Sequence, residues 1–146
     1  MDVVFSNIAG DHIHQYPAVA LRELAVNAVV HRCYAPSSGR IVMKIRQSSL
    51  EFLVPGALPP GMCSDDLGYT SALAERTSAL AHFMYCVRGP SYLDVKKDGR
   101  WFEGQGRDIL TARRAIKRRK GSLVYTNCEA ENLLRVMVTA SPEVPQ

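Results

Sequence analysis

The sequence predicts an α/β fold, and three observations predict it. The stretch 18–33 is apolar around most of a helical circumference. The stretch 40–54 alternates in two runs separated by Ser48-Ser49, as a β-hairpin does. The stretch 108–120 then has apolar residues at helical spacing under a basic surface, and two strand-like runs follow it.

In chain order, Val3-Val4-Phe5 suits a short first strand, ended by turn residues between Asn7 and Gly10. His12 and His14 lie in the polar connection after it. Pro17 suits the first turn of a helix, where its missing N–H costs nothing. That helix runs to about Cys33, and the cluster Ala35-Pro-Ser-Ser-Gly39 stops it. Arg40 to Gln47 reads as a half-buried strand, with Ile41, Met43 and Ile45 facing one way. Leu50 to Val54 reads as its antiparallel partner, and Pro55-Gly-Ala-Leu-Pro-Pro-Gly61 as a loop. Ser64-Asp-Asp caps a short turn, and Ser71 to Cys86 has helical spacing through Leu73, Leu80, Phe83 and Met84. Gly89-Pro90 ends that helix, Tyr92 to Val95 is extended, and Asp98-Gly99 is a turn. Glu103-Gly-Gln-Gly-Arg-Asp is a second glycine loop, opening a helix from about Asp108 to Lys120 with Gly121 as its stop. Leu123–Tyr125 and Leu133–Thr139 are closing strands, and Ser141 begins a tail.

A chain of 146 residues with neither repeat nor linker is expected to form one domain, 1–146. Its 47% hydrophobic and 22% charged content is globular, and no apolar run approaches the roughly 20 residues that cross a bilayer. The N-terminus lacks a basic region before an apolar core, so no secretory signal is expected. Cys33, Cys63, Cys86 and Cys128 are far apart without a Cys-x-x-Cys pair. Free thiols in a cytoplasmic protein are therefore the expectation.

The chemistry concentrates on the first helix. Glu23, Asn27 and His31 recur every four residues and share one stripe. Burying an acid, an amide and an imidazole requires partners. Two readings meet that requirement. The three can pair with one another and with loop backbone, or they can face a ligand, a metal or ordered water. On the second reading an amide oxygen suits Mg²⁺, and a carboxylate one turn earlier suits a water attacking a phosphate.

The order of parts resembles one known family. Ala20-Leu-Arg-Glu-Leu-Ala-Val-Asn-Ala-Val-Val-His-Arg-Cys-Tyr34, the hairpin, Pro55-Gly-Ala-Leu-Pro-Pro-Gly61, Arg76-Thr-Ser-Ala-Leu-Ala81 and the helix-opening Gly104-Gln-Gly106 are similar to an ATP-binding domain. That domain is a branch of the gyrase, Hsp-type chaperone, histidine-kinase and MutL (GHKL) superfamily. It is found as the C-terminal part of RecG-like helicases and of transcriptional regulators. The resemblance covers roughly 16–140 and is strongest over 16–61, where Glu-x-x-x-Asn precedes His-Arg-x-Tyr. It implies a two-layer α/β sandwich of the Bergerat type, with a mixed, mostly antiparallel sheet and helices on one face. It further implies that Asn27 coordinates Mg²⁺ on ATP and that Glu23 holds or activates the hydrolytic water. His31 and Arg32 would lie near the phosphates, Gly56 on the adenine side, and Gly104 and Gly106 in a lid.

The departures from the family pattern fall on one half of the implied site. The family's adenine contact is an Asp or Asn before the loop glycine, where this chain has Val54-Pro55. Ala57 replaces a second glycine and Cys33 an acid. A site that loses its polar contact loses discrimination. The phosphate and metal half is expected intact, and the adenine half eroded.

The segment Arg113-Arg-Ala-Ile-Lys-Arg-Arg-Lys120 carries six basic residues in eight, within a chain of net charge +4. Ile109, Ala112 and Ile116 share one helix face, which turns the basic residues mostly outward. The run is either a solvated face that complements the helix C-terminus or a footprint for nucleic acid. Trp101 and Phe102 suit core, lid or base-stacking roles, and Arg76 suits a surface or phosphate-facing one. The leading expectation is a cytoplasmic Mg-ATP-binding module, with slow or no hydrolysis, acting on a partner or a homo-oligomer. A DNA-binding regulator with a degenerate pocket is the rival, and a metal-dependent hydrolase using His12, His14 and His31 is a third.

Overall fold

The computed structural model describes residues 16–68, 80, 83, 86 and 108–140. The expectations for Val3–Phe5, His12, His14, Arg76, Tyr92–Val95, Trp101, Phe102, Gly104 and Gly106 lie outside the described residues. Of the helix expected over 71–86, the described positions Leu80, Phe83 and Cys86 are helical.

Helix α1 spans Ala18–His31 and ends two residues before the predicted limit. Pro17 is its N-cap rather than its first helical residue, and its carbonyl accepts from the N–H groups of Ala20 (2.9 Å) and Leu21 (3.1 Å). Ala20, Glu23, Leu24, Val26, Ala28 and Val30 are buried. Ala18, Ala25 and Val29 form an exposed strip on the opposite side, so the helix is covered on most sides but not all.

Strands β1 (Val42–Ile45), β2 (Ser49–Pro55), β3 (Ser122–Cys128) and β4 (Leu133–Thr139) form one sheet in the order β1-β2-β4-β3. All three pairings are antiparallel. The register places Leu50 beside Val138, Phe52 beside Val136, and Tyr125 beside Val136. Directly paired residues share a face, so one face carries Leu50, Phe52, Val54, Val136, Val138 and Tyr125. Those residues form a single core with Ala20, Leu24 and Ala28 of α1 and with Ile109, Ala112 and Ile116 of α2 (Asp108–Arg118). Both helices therefore cover the same face, and the architecture is a small two-layer α/β sandwich.

The hairpin forms as expected, but β1 is not half-buried. All four of its residues are exposed, Met43 at 53% and Ile45 at 41%. Met43 and Ile45 do lie on the helix side, opposite Phe52 and Leu50. The strand is at the sheet edge, however, and the helix layer does not cover it.

The end of α2 also differs from expectation. Lys120, not Gly121, adopts the left-handed conformation at φ 57°. Gly121 is required for a different reason. A Cβ there would lie 2.6 Å from the Thr139 carbonyl oxygen, because the chain enters β3 hard against β4.

The outer face of the sheet holds one buried acid, Glu51, at 4% exposure. Lys44, Arg46 and Arg135 approach its carboxylate at 3.8, 3.2 and 3.1 Å. All four cysteines are free thiols. Among the described residues no helix is long and apolar enough to cross a membrane.

Candidate functional site

A cleft opens between α1 and the end of the sheet where β2 leads into the Pro55–Gly61 loop. Its enclosed space is small, about 50 Å³, and it widens directly into open solvent. Leu24, Asn27, Ala28 and His31 form the helix wall. Val54, Gly56, Ala57, Leu58 and Pro59 form the loop wall. Leu67, Ile109, Tyr125, Leu134 and Val136 close the rest. Of these side chains only Asn27, His31 and Tyr125 are polar.

Helical spacing accounts for Asn27 and His31 sharing a wall. The amide of Asn27 is held by its own helix, since Nδ2 donates to the Glu23 carbonyl at 2.8 Å. With the nitrogen engaged, Oδ1 is the acceptor that Asn27 retains at the cleft. Glu23, the third member of the stripe, does not line the cleft. It is fully buried, and its Oε1 accepts from Arg22 Nη2 at 3.0 Å. The stripe rotates by about 40° with each fourfold step, which carries Glu23 to one flank while Asn27 and His31 meet the cleft.

Arg32 is likewise outside the lining. Its Nη2 donates to the Gly39 carbonyl at 2.6 Å, and its guanidinium sits 4.7 Å from the Tyr34 ring centroid. It ties the 35–39 loop to the end of α1. Gly56 lies in the loop wall, with φ 107°, a conformation open to glycine and strained for other residues.

The loop wall is fastened by two residues that the sequence reading did not single out. Asn127 Oδ1 accepts from the Leu58 N–H at 2.8 Å, and Asn132 Oδ1 accepts from the Ala57 N–H at 3.0 Å. The Asn132 carbonyl also accepts from the Gly56 N–H at 2.7 Å. Asn132 itself is left-handed at φ 48°, a conformation that Asn tolerates better than most residues. An Asn between Glu131 and Leu133, just before a clear strand, was a signal for a turn though not for a clamp.

Tyr125 reaches the cleft from β3. It is buried to 7% exposure, and its hydroxyl has no hydrogen-bond partner among the described residues. Burial pushes the phenol well above the usual tyrosine range, and the nearby Arg113 guanidinium only partly opposes this. Arg113 lies over the Tyr125 ring at 5.3 Å.

On α2, Arg114, Lys117, Arg118 and Lys120 are exposed, while Arg113 and Arg119 are half-buried. The outward basic face expected of this helix is therefore present. Among the described residues no three His, Cys, Asp or Glu side chains converge as a metal-holding group. No protein-family model matches the chain, and no curated protein matches it.

Proposed function

We propose that the chain is a nucleotide-binding module that takes Mg-ATP in the cleft between α1 and the Pro55–Gly61 loop. The observation that carries this reading is the arrangement of Asn27. Its amide nitrogen is committed to the helix backbone, leaving a neutral oxygen on the helix wall of a mostly apolar cleft. An amide oxygen of that kind fits Mg²⁺, which takes few protein ligands beside waters and phosphate oxygens. His31, one turn on, lines the same cleft and would face a phosphate oxygen, with the apolar loop wall against the base. Gly104 and Gly106, in family order, would supply backbone N–H groups to the phosphates.

Hydrolysis is slow or absent on this reading, because Glu23 is engaged by Arg22 outside the cleft. Nucleotide occupancy would instead set the state of a partner or of a second copy, through different affinities for two states. Calorimetric titration with Mg-ATP tests it. The parent protein binds and Asn27→Ala binds at least tenfold more weakly; absence of binding by the parent protein would end this reading.

The exposed row Arg114, Lys117, Arg118 and Lys120 favours a second reading, a DNA-binding regulator in which the cleft is vestigial. It predicts salt-dependent DNA binding that weakens when Lys117, Arg118 and Arg119 become alanine. Unchanged affinity in that triple variant counts against it.

A further inference from the structure

The two edges of the sheet are finished differently. At one edge, Tyr125 of β3 is buried, with the Arg113 guanidinium of α2 over its ring. At the other edge, Met43 and Ile45 of β1 lie on the helix side and stay 53% and 41% exposed. The hydrogen-bond pattern fixes which backbone groups of β1 are open. The Arg46 N–H donates to the Ser49 carbonyl at 2.8 Å, which makes these two a hydrogen-bonded pair. Such pairs alternate with non-bonded ones along an antiparallel ladder. Lys44 and Val42 therefore turn their N–H and C=O groups toward β2, while Met43 and Ile45 turn theirs out of the sheet. The register is unbroken from Val42 to Ile45, and 41–46 holds no proline, so neither a bulge nor a missing N–H closes this edge.

Charge decides what can pair there. Lys44, Arg46 and Arg135 share one carboxylate, that of Glu51, so this part of the outer face keeps an excess of positive charge. A second copy of β1, paired antiparallel about an axis within the strand, would set cations among Arg40, Lys44 and Arg46 opposite one another in every register. Like charges directly opposite are destabilising. An acidic strand meets the same cations favourably.

We infer that β1 is a docking edge for an extended segment of a partner protein in which apolar and acidic residues alternate. Its backbone pairs with the open groups of Met43 and Ile45, its apolar side chains cover those two residues on the helix side, and its acids face Lys44 and Arg46. This edge does not depend on the nucleotide reading of the cleft.

The test presents the full chain with two synthetic peptides, one alternating valine with glutamate and the other valine with lysine. Fluorescence anisotropy measures affinity, and residue-resolved amide hydrogen exchange reports pairing. The valine–glutamate peptide is expected to bind roughly tenfold more tightly than the other, and to slow exchange at Met43 and Ile45. Met43→Pro blocks the outward edge without removing a bond to β2, and is expected to weaken that binding roughly tenfold. Where the proline variant does not fold, the exchange result on the parent protein decides. Absence of binding, or equal affinity for the two peptides, overturns the inference. So does binding that leaves Met43 and Ile45 exchange unchanged, which is adsorption to the cations alone. A chain that is dimeric without peptide, with both amides already protected, overturns it in favour of a second copy.

Discussion

Asn132 is the position at which a single substitution most cleanly separates two physical effects that shape the cleft. Its side-chain oxygen holds the Ala57 N–H at 3.0 Å, and its backbone sits at φ 48°. Asn132→Gly removes the first effect and relieves any residual strain in the second. The hydrogen bond is exposed, so its loss should cost about 0.5–1 kcal/mol. Asn132→Ala removes the same bond and also places a Cβ-bearing residue without a polar side chain in the left-handed region, which adds about 1–2 kcal/mol. The alanine variant should therefore lose about 1.5–3 kcal/mol and the glycine variant no more than about 1. Urea denaturation monitored by far-UV circular dichroism measures both, with the slope held as a check on two-state behaviour. Both variants should also bind Mg-ATP more weakly, since the wall from Gly56 to Leu58 is no longer fastened at Ala57. A glycine variant as unstable as the alanine variant would refute the strain argument. Two variants as stable as the parent would refute the clamp.

Three other predictions follow from the same geometry. Glu51→Gln leaves Lys44, Arg46 and Arg135 without their shared carboxylate; because those cations are about half exposed, the loss should be modest, about 1–2 kcal/mol, and should shrink when denaturation is repeated in 1 M salt. Lys120→Gly should stabilise by about 0.5–1 kcal/mol by freeing a left-handed residue, whereas Gly121→Ala should destabilise by about 1–3 kcal/mol because its Cβ meets the Thr139 carbonyl; denaturation midpoints moving in the same direction would contradict the assignment of roles. The Tyr125 phenol titrates higher in the folded protein than its ordinary value of 10.0, so the folded state retains a proton that the unfolded state releases; stability from this source is intact below pH 10 and falls as pH rises beyond it, and Tyr125→Phe should show a shallower decline between pH 9 and pH 11 in the same denaturation assay.

The parts of this fold that the sequence made legible are those determined within one element. The apolar circumference of α1 is local, and so is the facing of Ile109, Ala112 and Ile116 on α2. The hairpin was legible because its two alternating runs are adjacent. The reading of β1 as half-buried failed because alternation tells which face a side chain takes, and not whether anything covers that face. Coverage depended on the order β1-β2-β4-β3, which leaves β1 at an edge. The stop of α2 was misassigned between neighbours for a related reason, since Gly121 answers to a strand that arrives 18 residues later.

The candidate site divides along the same line. Asn27 and His31 were visible because four-residue spacing puts them on one helix wall, while the same helical drift removes Glu23 from the cleft. Asn127 and Asn132 were not visible, because they act on backbone 69 and 75 residues away. Tyr125 was taken only for the end of a short strand. Nothing in its local pattern could show that its hydroxyl would be enclosed without a partner beside a cleft built from residues 24 to 136.

The most direct measurement is a crystal structure of the full chain grown with Mg²⁺ and a non-hydrolysable ATP analogue. The account predicts the triphosphate and metal at Asn27 Oδ1 beside His31, with the base against the Gly56–Pro59 wall. An analogue bound only along Arg114, Lys117 and Arg118, with the cleft empty, would contradict it.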